Sequence, residues 1–177
     1  GNRDALPQIV GIVTRNGREP ERETTDLTTI PFFYEGGTDF DQFENRILYY
    51  ESSRGCPFRC SYCLSSIEKQ VRFRDLSQVY KELQFFLARQ VKQVKFIDRT
   101  FNCNHDHAMA IWNYILEHDN GVTNFHFEIS ADLLHEEELQ ILARMRPGLV
   151  QLEIGVQSTN KQAIHEINRS MNIDKLR

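Results

Sequence analysis

The chain has 177 residues, of which 40% are hydrophobic and 26% charged, with a formal net charge of -4. That length suffices for one domain with a sizeable core, and the mild negative charge gives no basis for a general nucleic-acid surface. No apolar run approaches the length of a membrane span, and the mixed, polar residues 1–11 carry no signal-peptide pattern. The expectation is a cytoplasmic, reducing setting without membrane or nucleic-acid partners. There, clustered cysteines bind metal or do chemistry more often than they form disulfides.

In chain order, Ile9 to Thr14 reads as a short strand and Asn16-Gly17 as a hairpin turn. Arg18 to Thr29 is charged and rich in Thr, and Pro31, Gly36 and Gly37 punctuate the next stretch. Residues 1–46 are therefore expected to be a linker or irregular N-terminal extension with little core of its own.

From Arg46 the chain alternates strands and helices. Ile47 to Glu51 is a strand. Asp75 can cap a helix with Gln78 in the capping-box position, and Leu76, Val79, Tyr80, Leu83, Phe86 and Leu87 share one face of it. Val94 to Asp98 is a second strand, and Asp106 to His118 a helix closed by Asn120-Gly121. Phe125 to Ser130 is a third strand, with Phe125, Phe127 and Ile129 on one face and His126, Glu128 and Ser130 on the other. His135 to Met145 is a helix stopped by Pro147-Gly148, and Leu149 to Gly155 is a fourth strand. Asn160 caps a last helix carrying Ala163, Ile164 and Ile167. Trp112, Tyr114 and Phe125 read as core.

Four consecutive strand–helix units predict an α/β fold with a parallel sheet. A full eight-unit barrel takes roughly 250 residues, so residues 47–177 can hold about half of a TIM-like (β/α) barrel. In such barrels chemistry sits at the C-terminal ends of the strands. Polar residues near those ends, on a face that parallel barrels usually keep apolar, suggest a site. Glu128 and Glu153 are such residues, although either could instead pair with a neighbouring Lys or Arg.

The first strand runs into Ser52-Ser53-Arg54-Gly55-Cys56-Pro57-Phe58-Arg59-Cys60-Ser61-Tyr62-Cys63, so three of the four cysteines lie within eight residues. Three thiolates on one loop can converge on a metal centre. A 4Fe–4S cluster normally takes four cysteines, so three leave one iron open to a substrate or cofactor. The alternatives are an inert loop or a structural zinc, which takes four ligands and could recruit His105 or His107. Cys103 stands apart after the second strand and reads as a free loop cysteine.

Cys56-x-x-x-Cys60-x-Tyr62-Cys63 resembles the signature of the radical S-adenosylmethionine superfamily, including the aromatic residue before the last cysteine. The resemblance implies that Cys56, Cys60 and Cys63 hold a 4Fe–4S cluster whose open iron chelates S-adenosylmethionine. It further implies reductive cleavage of that cofactor to a 5′-deoxyadenosyl radical, with Tyr62 against the adenine. Asp98-Arg99-Thr100 occupies the place of the family's methionine-amino motif but departs from its common Gly-Gly-Glu form, so Asp98 and Thr100 are carried over as cofactor-side candidates. The fourth-strand segment Glu153-Ile154-Gly155-Val156-Gln157-Ser158 resembles oxygen-independent coproporphyrinogen oxidase and the methylthiotransferases. By that likeness Glu128, Gln157 and Arg169 contact the cofactor, Arg169 through the methionine carboxylate. Glu153 is grouped with them.

The stretches Tyr49 to Cys56, Asp98 to Asn102 and Glu153 to Ser158 look like the cobalamin-binding-type branch, which includes methyltransferases and an anaerobic ring cyclase of chlorophyll synthesis. Residues 1–46, ending in Ile30-Pro31-Phe32-Phe33-Tyr34, resemble the linker after that branch's cobalamin domain. No Asp-x-His-x-x-Gly cobalamin motif is present, and the sequence stops at Arg177 after four units where the family has six. The expectation is a piece of a longer enzyme, a methyltransferase or radical oxidoreductase, that meets cobalamin through a domain absent from this chain. Its expected partners are a small-molecule substrate and reduced flavodoxin or ferredoxin as electron donor. An open strand edge could also favour dimerisation or swapping. The competing reading is a metal-binding structural or electron-transfer module without radical chemistry.

Overall fold

A parallel sheet of four strands, built from consecutive strand–helix units, organises the computed structural model. The structure describes residues 13–14, 17–18, 23–36, 43–68 and 70–176. Two short strands, β1 (Val13–Thr14) and β2 (Gly17–Arg18), pair antiparallel, so Gly17 is a ladder residue and not a turn residue. Residues 9–12 of the expected first strand, and Asn16 of the expected turn, lie outside the described residues. The sheet proper begins with β3 (Ile47–Tyr50). Beyond it, β4 (Ser53–Arg54) pairs antiparallel with β5 (Arg72–Phe73). This pairing carries no sequence signal, because two residues are too few for a period.

Helix α1 (Leu76–Ala88) comes next, with the Asp75 carboxylate accepting from Ser77 N. The expected capping box does not form. Gln78 instead donates through Nε2 to Thr28 O at 3.1 Å. Then come β6 (Gln93–Phe96), α2 (His105–Glu117), β7 (Asn124–Ile129), α3 (Glu136–Ala143), β8 (Val150–Ile154) and α4 (Lys161–Glu166). Asn104 caps α2 by accepting from His107 N, and Asn160 caps α4 by accepting from Gln162 N and Ala163 N. At α3 the capping carboxylate belongs to Glu138, which accepts from His135 N at 2.8 Å. Strand order is β3-β6-β7-β8, parallel throughout, with Tyr50 opposite Phe96, Lys95 opposite His126 and Glu128 opposite Glu153.

Alternation along each strand divides the sheet into two unlike faces. Leu48, Tyr50, Val94, Phe96, Phe125, Phe127 and Ile129 are buried in one core with Leu83 and Phe86 of α1, Ile111 and Trp112 of α2, and Ile141 of α3. Phe96, Phe101, Phe127 and Trp112 meet with ring centroids 4.3 to 6.0 Å apart. Full burial of such a side chain contributes about 1.5–3 kcal/mol. The opposite face carries Tyr49, Lys95, His126, Glu128 and Glu153. Amides adjoin them, where Gln93 Nε2 donates to Asn124 Oδ1 at 3.0 Å and reaches Gln151 Oε1 at 3.5 Å.

The segment before β3 packs onto the same core. Leu27 is buried, and Phe32 meets Tyr34, Tyr50, Phe85 and Phe86 edge-on. Its polar fastening is Arg74, whose guanidinium donates to Leu27 O and Ile30 O while pairing with the buried Glu82 carboxylate. Glu82 Oε2 also accepts from Tyr50 Oη at 2.7 Å. Burial, then the Glu82 charge, raises the Tyr50 phenol far above its ordinary value, so it remains a donor. Tyr34 Oη meets both Tyr49 N at 3.1 Å and Tyr49 O at 3.0 Å on the outer edge of β3.

Removing one partner of a buried ion pair strands the other, at about 3–5 kcal/mol. Arg74→Met should therefore lower the free energy of unfolding by that amount in urea titration. Glu82→Gln, which keeps an acceptor for Tyr50, should cost clearly less.

Candidate functional site

The cysteine loop is fixed at both ends. At its base, β4 pairs with β5 and Arg74 N donates to Ser52 O at 2.8 Å. Gly55 lies just beyond with φ of 102°, and a Cβ there would lie 2.4 Å from the Gln70 carbonyl oxygen, so only glycine fits. At the far side the loop meets the end of α4. Ser61 N donates to Ile167 O at 2.9 Å, and Asn168 Nδ2 donates to Arg59 O at 2.9 Å.

These contacts turn the three cysteines toward one cavity of about 250 Å³ at the C-terminal ends of the strands. Its walls include Cys56, Cys60 and Cys63 from the loop, Thr100 after β6, Glu128 of β7, Glu153 of β8, and Gln157 and Arg169 flanking α4. Tyr62 lines it as well, and its hydroxyl accepts from Arg169 Nη1 at 3.1 Å. Arg169 Nη2 donates to Gly155 O, which orients the guanidinium across the opening. The Gln157 carboxamide lies against Gly155, where a Cβ would come within 2.9 Å of Nε2. Thus residues separated by more than a hundred positions face one space.

Asp98 is the exception among the sequence candidates. It is 1% exposed and does not line the cavity. Its Oδ1 accepts from Ser52 N at 2.8 Å and Ser53 N at 3.0 Å, and its Oδ2 accepts from Ser52 Oγ. The carboxylate therefore serves the backbone behind the cysteine loop. His105 and His107 also stand away from the cavity. His105 Nδ1 lies 3.4 Å from the buried Glu138, and His107 Nε2 lies 3.1 Å from Ser52 Oγ.

Glu128 and Glu153 both have a cationic neighbour, Lys95, at 3.6 and 2.9 Å, and His126 Nε2 is 3.1 Å from Glu153. Lys95 lowers the Glu153 carboxyl below its ordinary range and is itself raised by that partner. The ion-pair alternative therefore coexists with a place in the cavity wall. Sequence reasoning passed over Lys95, and it placed His126 on the polar face of its strand without giving it a partner.

The donor set is sulfur-rich. Cys56 Sγ is 3.6 Å from Thr100 Oγ1, whose single proton goes to Arg99 O at 2.8 Å, so the thiol is the donor between them. Burial pushes the Cys103 thiol up to about 11, helped by Cys56 and Asp98, which keeps it protonated near neutral pH. Among the described residues, no three His, Cys, Asp or Glu side chains are gathered closely enough to hold a single metal ion. Three thiols spaced around a cavity suit a polynuclear cluster, in which each sulfur takes its own iron.

The chain belongs to the radical S-adenosylmethionine superfamily: residues 50–176 match the family model described as "Radical SAM superfamily". The chain is also similar to particular proteins. An "Uncharacterized methyltransferase PH0819" of Pyrococcus horikoshii is 36% identical over 63 residues, which cover 34% of this chain and 14% of that protein. Two solved structures of the radical S-adenosylmethionine methyltransferase TsrM from Kitasatospora setae superpose with a TM-score of 0.63 at 16% identity. One contains cobalamin and a 4Fe–4S cluster, the other tryptophan substrate and an aza analogue of S-adenosylmethionine. They cover 74% and 73% of this chain, which spans 27% and 26% of theirs. At that identity the likeness establishes the fold, a partial TIM-like barrel. No helix among the described residues is long and apolar enough to cross a membrane.

Burial makes opposed pH dependences of Asp98 and His107. Asp98 is pushed up to about 7, because burial outweighs the Ser52 and Ser53 hydrogen bonds, and His107 is pushed down to about 4 by burial. The folded state thus holds the Asp98 proton where the unfolded chain has lost it, so stability falls as pH rises from 3.8 toward about 7. For His107 the unfolded chain binds the extra proton, so stability rises with pH between about 4 and 6.5. The slopes oppose each other where the windows overlap. In His107→Phe, denaturation midpoints should fall more steeply than in the parent as pH is raised through that overlap. In Asp98→Asn they should rise.

Proposed function

We propose that this chain is the cluster- and cofactor-binding part of a cobalamin-dependent radical S-adenosylmethionine methyltransferase. Cys56, Cys60 and Cys63 would hold a 4Fe–4S cluster with one open iron. The observation that carries the reading is the single cavity walled by those three thiols together with Tyr62, Thr100, Glu128, Glu153, Gln157 and Arg169. The chemistry such a cluster supplies when bound is one electron to the sulfonium of S-adenosylmethionine, giving methionine and a 5′-deoxyadenosyl radical.

This chain's residues do the holding and orienting. The guanidinium of Arg169, held by Tyr62 and Gly155, would receive the methionine carboxylate by charge-assisted hydrogen bonds. Thr100 offers a hydroxyl beside Cys56 for the polar end of the cofactor. Tyr62 presents an aromatic face to the adenine, and Glu128 and Gln157 supply acceptors from the adjoining wall. Glu153, held ionised by Lys95, would contribute negative charge to the wall of a site that takes a cationic sulfonium.

The cobalamin dependence and the methyl transfer rest on the likeness to TsrM and to the Pyrococcus horikoshii protein. They concern a whole enzyme of which this chain spans a part. In that enzyme residues 1–46 would serve as the linker from a cobalamin domain, a small molecule would be the methyl acceptor, and reduced flavodoxin or ferredoxin would deliver the electron in the cytoplasm.

Anaerobic reconstitution with iron and sulfide should give a reduced cluster whose electron paramagnetic resonance signal changes on adding S-adenosylmethionine. Cys60→Ala should abolish iron loading. An intact cluster with an unresponsive signal would instead favour a structural or electron-transfer module. Arg169→Ala should load iron normally yet bind S-adenosylmethionine about 10–100-fold more weakly, matching hydrogen bonds to a charged group worth about 1.5–3 kcal/mol.

A further inference from the structure

Behind the cysteine loop, three polar side chains are buried that no part of the proposed chemistry uses. Ser52 is 0%, Asp98 1% and His107 6% exposed, and none lines the cavity. A buried, hydrogen-bonded polar group is costly to maintain unless every partner is in place. Here the hydrogen bonds of the three side chains converge on one point, the Ser52 hydroxyl.

The two strand ends that meet there are β3 and β6, whose last paired residues are Tyr50 and Phe96. Two residues beyond each lie Ser52 and Asp98. Asp98 binds the Ser52 and Ser53 amides with one oxygen and the Ser52 hydroxyl with the other. Because Ser52 gives its only hydroxyl proton to Asp98, the 3.1 Å contact with His107 requires Nε2–H to donate to Ser52 Oγ. The His107 ring also packs on Phe73, with centroids 4.8 Å apart, and Phe73 is the partner of Ser53 in the β4–β5 pairing. Arg74 N closes the same knot on Ser52 O. Entry and exit of the cysteine loop are thereby clamped to one carboxylate and one imidazole. From the clamp, one chain leads four residues to Cys56 and the other leads two to Thr100, and these two side chains meet at 3.6 Å.

We propose that Ser52, Asp98 and His107 form a buried clasp that sets the position of Cys56 against Thr100, with Asp98 and His107 acting as positioning residues for the cluster. The inference rests on the reading of Cys56, Cys60 and Cys63 as cluster ligands. Asp98 is thereby moved from the cofactor side of the site to its rear support. Outer partners of metal ligands commonly govern affinity by about 10–100-fold, and a clasp of this kind belongs with them although it reaches the sulfur through the backbone.

The test compares the full chain with Ser52→Ala, Asp98→Asn, Asp98→Ala and His107→Phe. Hydrogen exchange and thermal melting are recorded on the metal-free proteins. After anaerobic reconstitution, iron retention against a chelator and the electron paramagnetic resonance spectrum are recorded. The clasp predicts faster exchange confined to residues 52–73, a retained cooperative melt, iron retention reduced about 10–100-fold, and a displaced signal from the residual cluster. Asp98→Asn, which keeps an acceptor for the two amides, should recover part of the retention lost in Asp98→Ala.

Parent-like retention and spectrum in Ser52→Ala and Asp98→Asn would overturn the proposal. So would exchange accelerated evenly along the whole chain. If Asp98→Ala does not fold, Ser52→Ala decides, because it deletes one hydroxyl and leaves both amide bonds. If the parent itself takes up no cluster, the cluster reading fails. Exchange at residues 52–73 then still shows whether these side chains hold the loop.

Discussion

The organisation of the site depends on one carboxylate almost wholly removed from water. Asp98 follows the second strand of the parallel sheet, and its oxygens are used up by a dipeptide of the neighbouring strand end. A buried carboxylate is tolerable only when such donors surround it. Those donors exist only if the two strands are in register and β3 turns immediately after Glu51. The interaction therefore couples sheet formation to the shape of the loop that carries the cysteines. Gly55 adds a second constraint, since no side chain fits against the Gln70 carbonyl. Between them, the carboxylate and the glycine leave the backbone before Cys56 little freedom.

The sheet has two dissimilar faces, and function follows the division. Aromatic and aliphatic side chains bind the helices to one side, giving a rigid platform. The other side is laid with amides low on the strands, then Lys95 and His126, then Glu128 and Glu153 side by side at the rim. The ion pairs of Lys95 cross three strands and hold the carboxylates in fixed places, so the wall beneath the thiols is charged and ordered. An apolar lining there could pack more tightly, but it could not present oriented dipoles to a polar ligand.

Much of the fold was legible in the sequence of the chain. The four strand–helix units, the capping residues Asp75 and Asn160, and the apolar stripe of α1 all arise from local periodicity and capping chemistry, which a linear reading captures. The thiols were legible from spacing alone. Tyr62, Thr100, Glu128, Glu153, Gln157 and Arg169 were placed by resemblance, and all lie on the cavity wall. The role of Asp98 was not legible. Its partners lie 46 and 45 positions away, and the same strand-end location suits a ligand contact or a backbone anchor equally well. Lys95 was missed because a lysine in a strand reads as a solvated side chain until its cross-strand neighbours are known. The β4–β5 pairing and the fastening of the N-terminal segment by Arg74 were hidden as well, one by brevity and the other because Arg74 reaches back 47 positions to Leu27 O.

The hydroxyl of Tyr34 has an effect beyond fastening the segment that bears it. By meeting the amide and the carbonyl of Tyr49 together, it occupies the sites to which another strand would attach on that flank. The two flanks of the sheet are thereby made unlike: the β3 flank is capped at Tyr49, whereas among the described residues no strand pairs beyond β8.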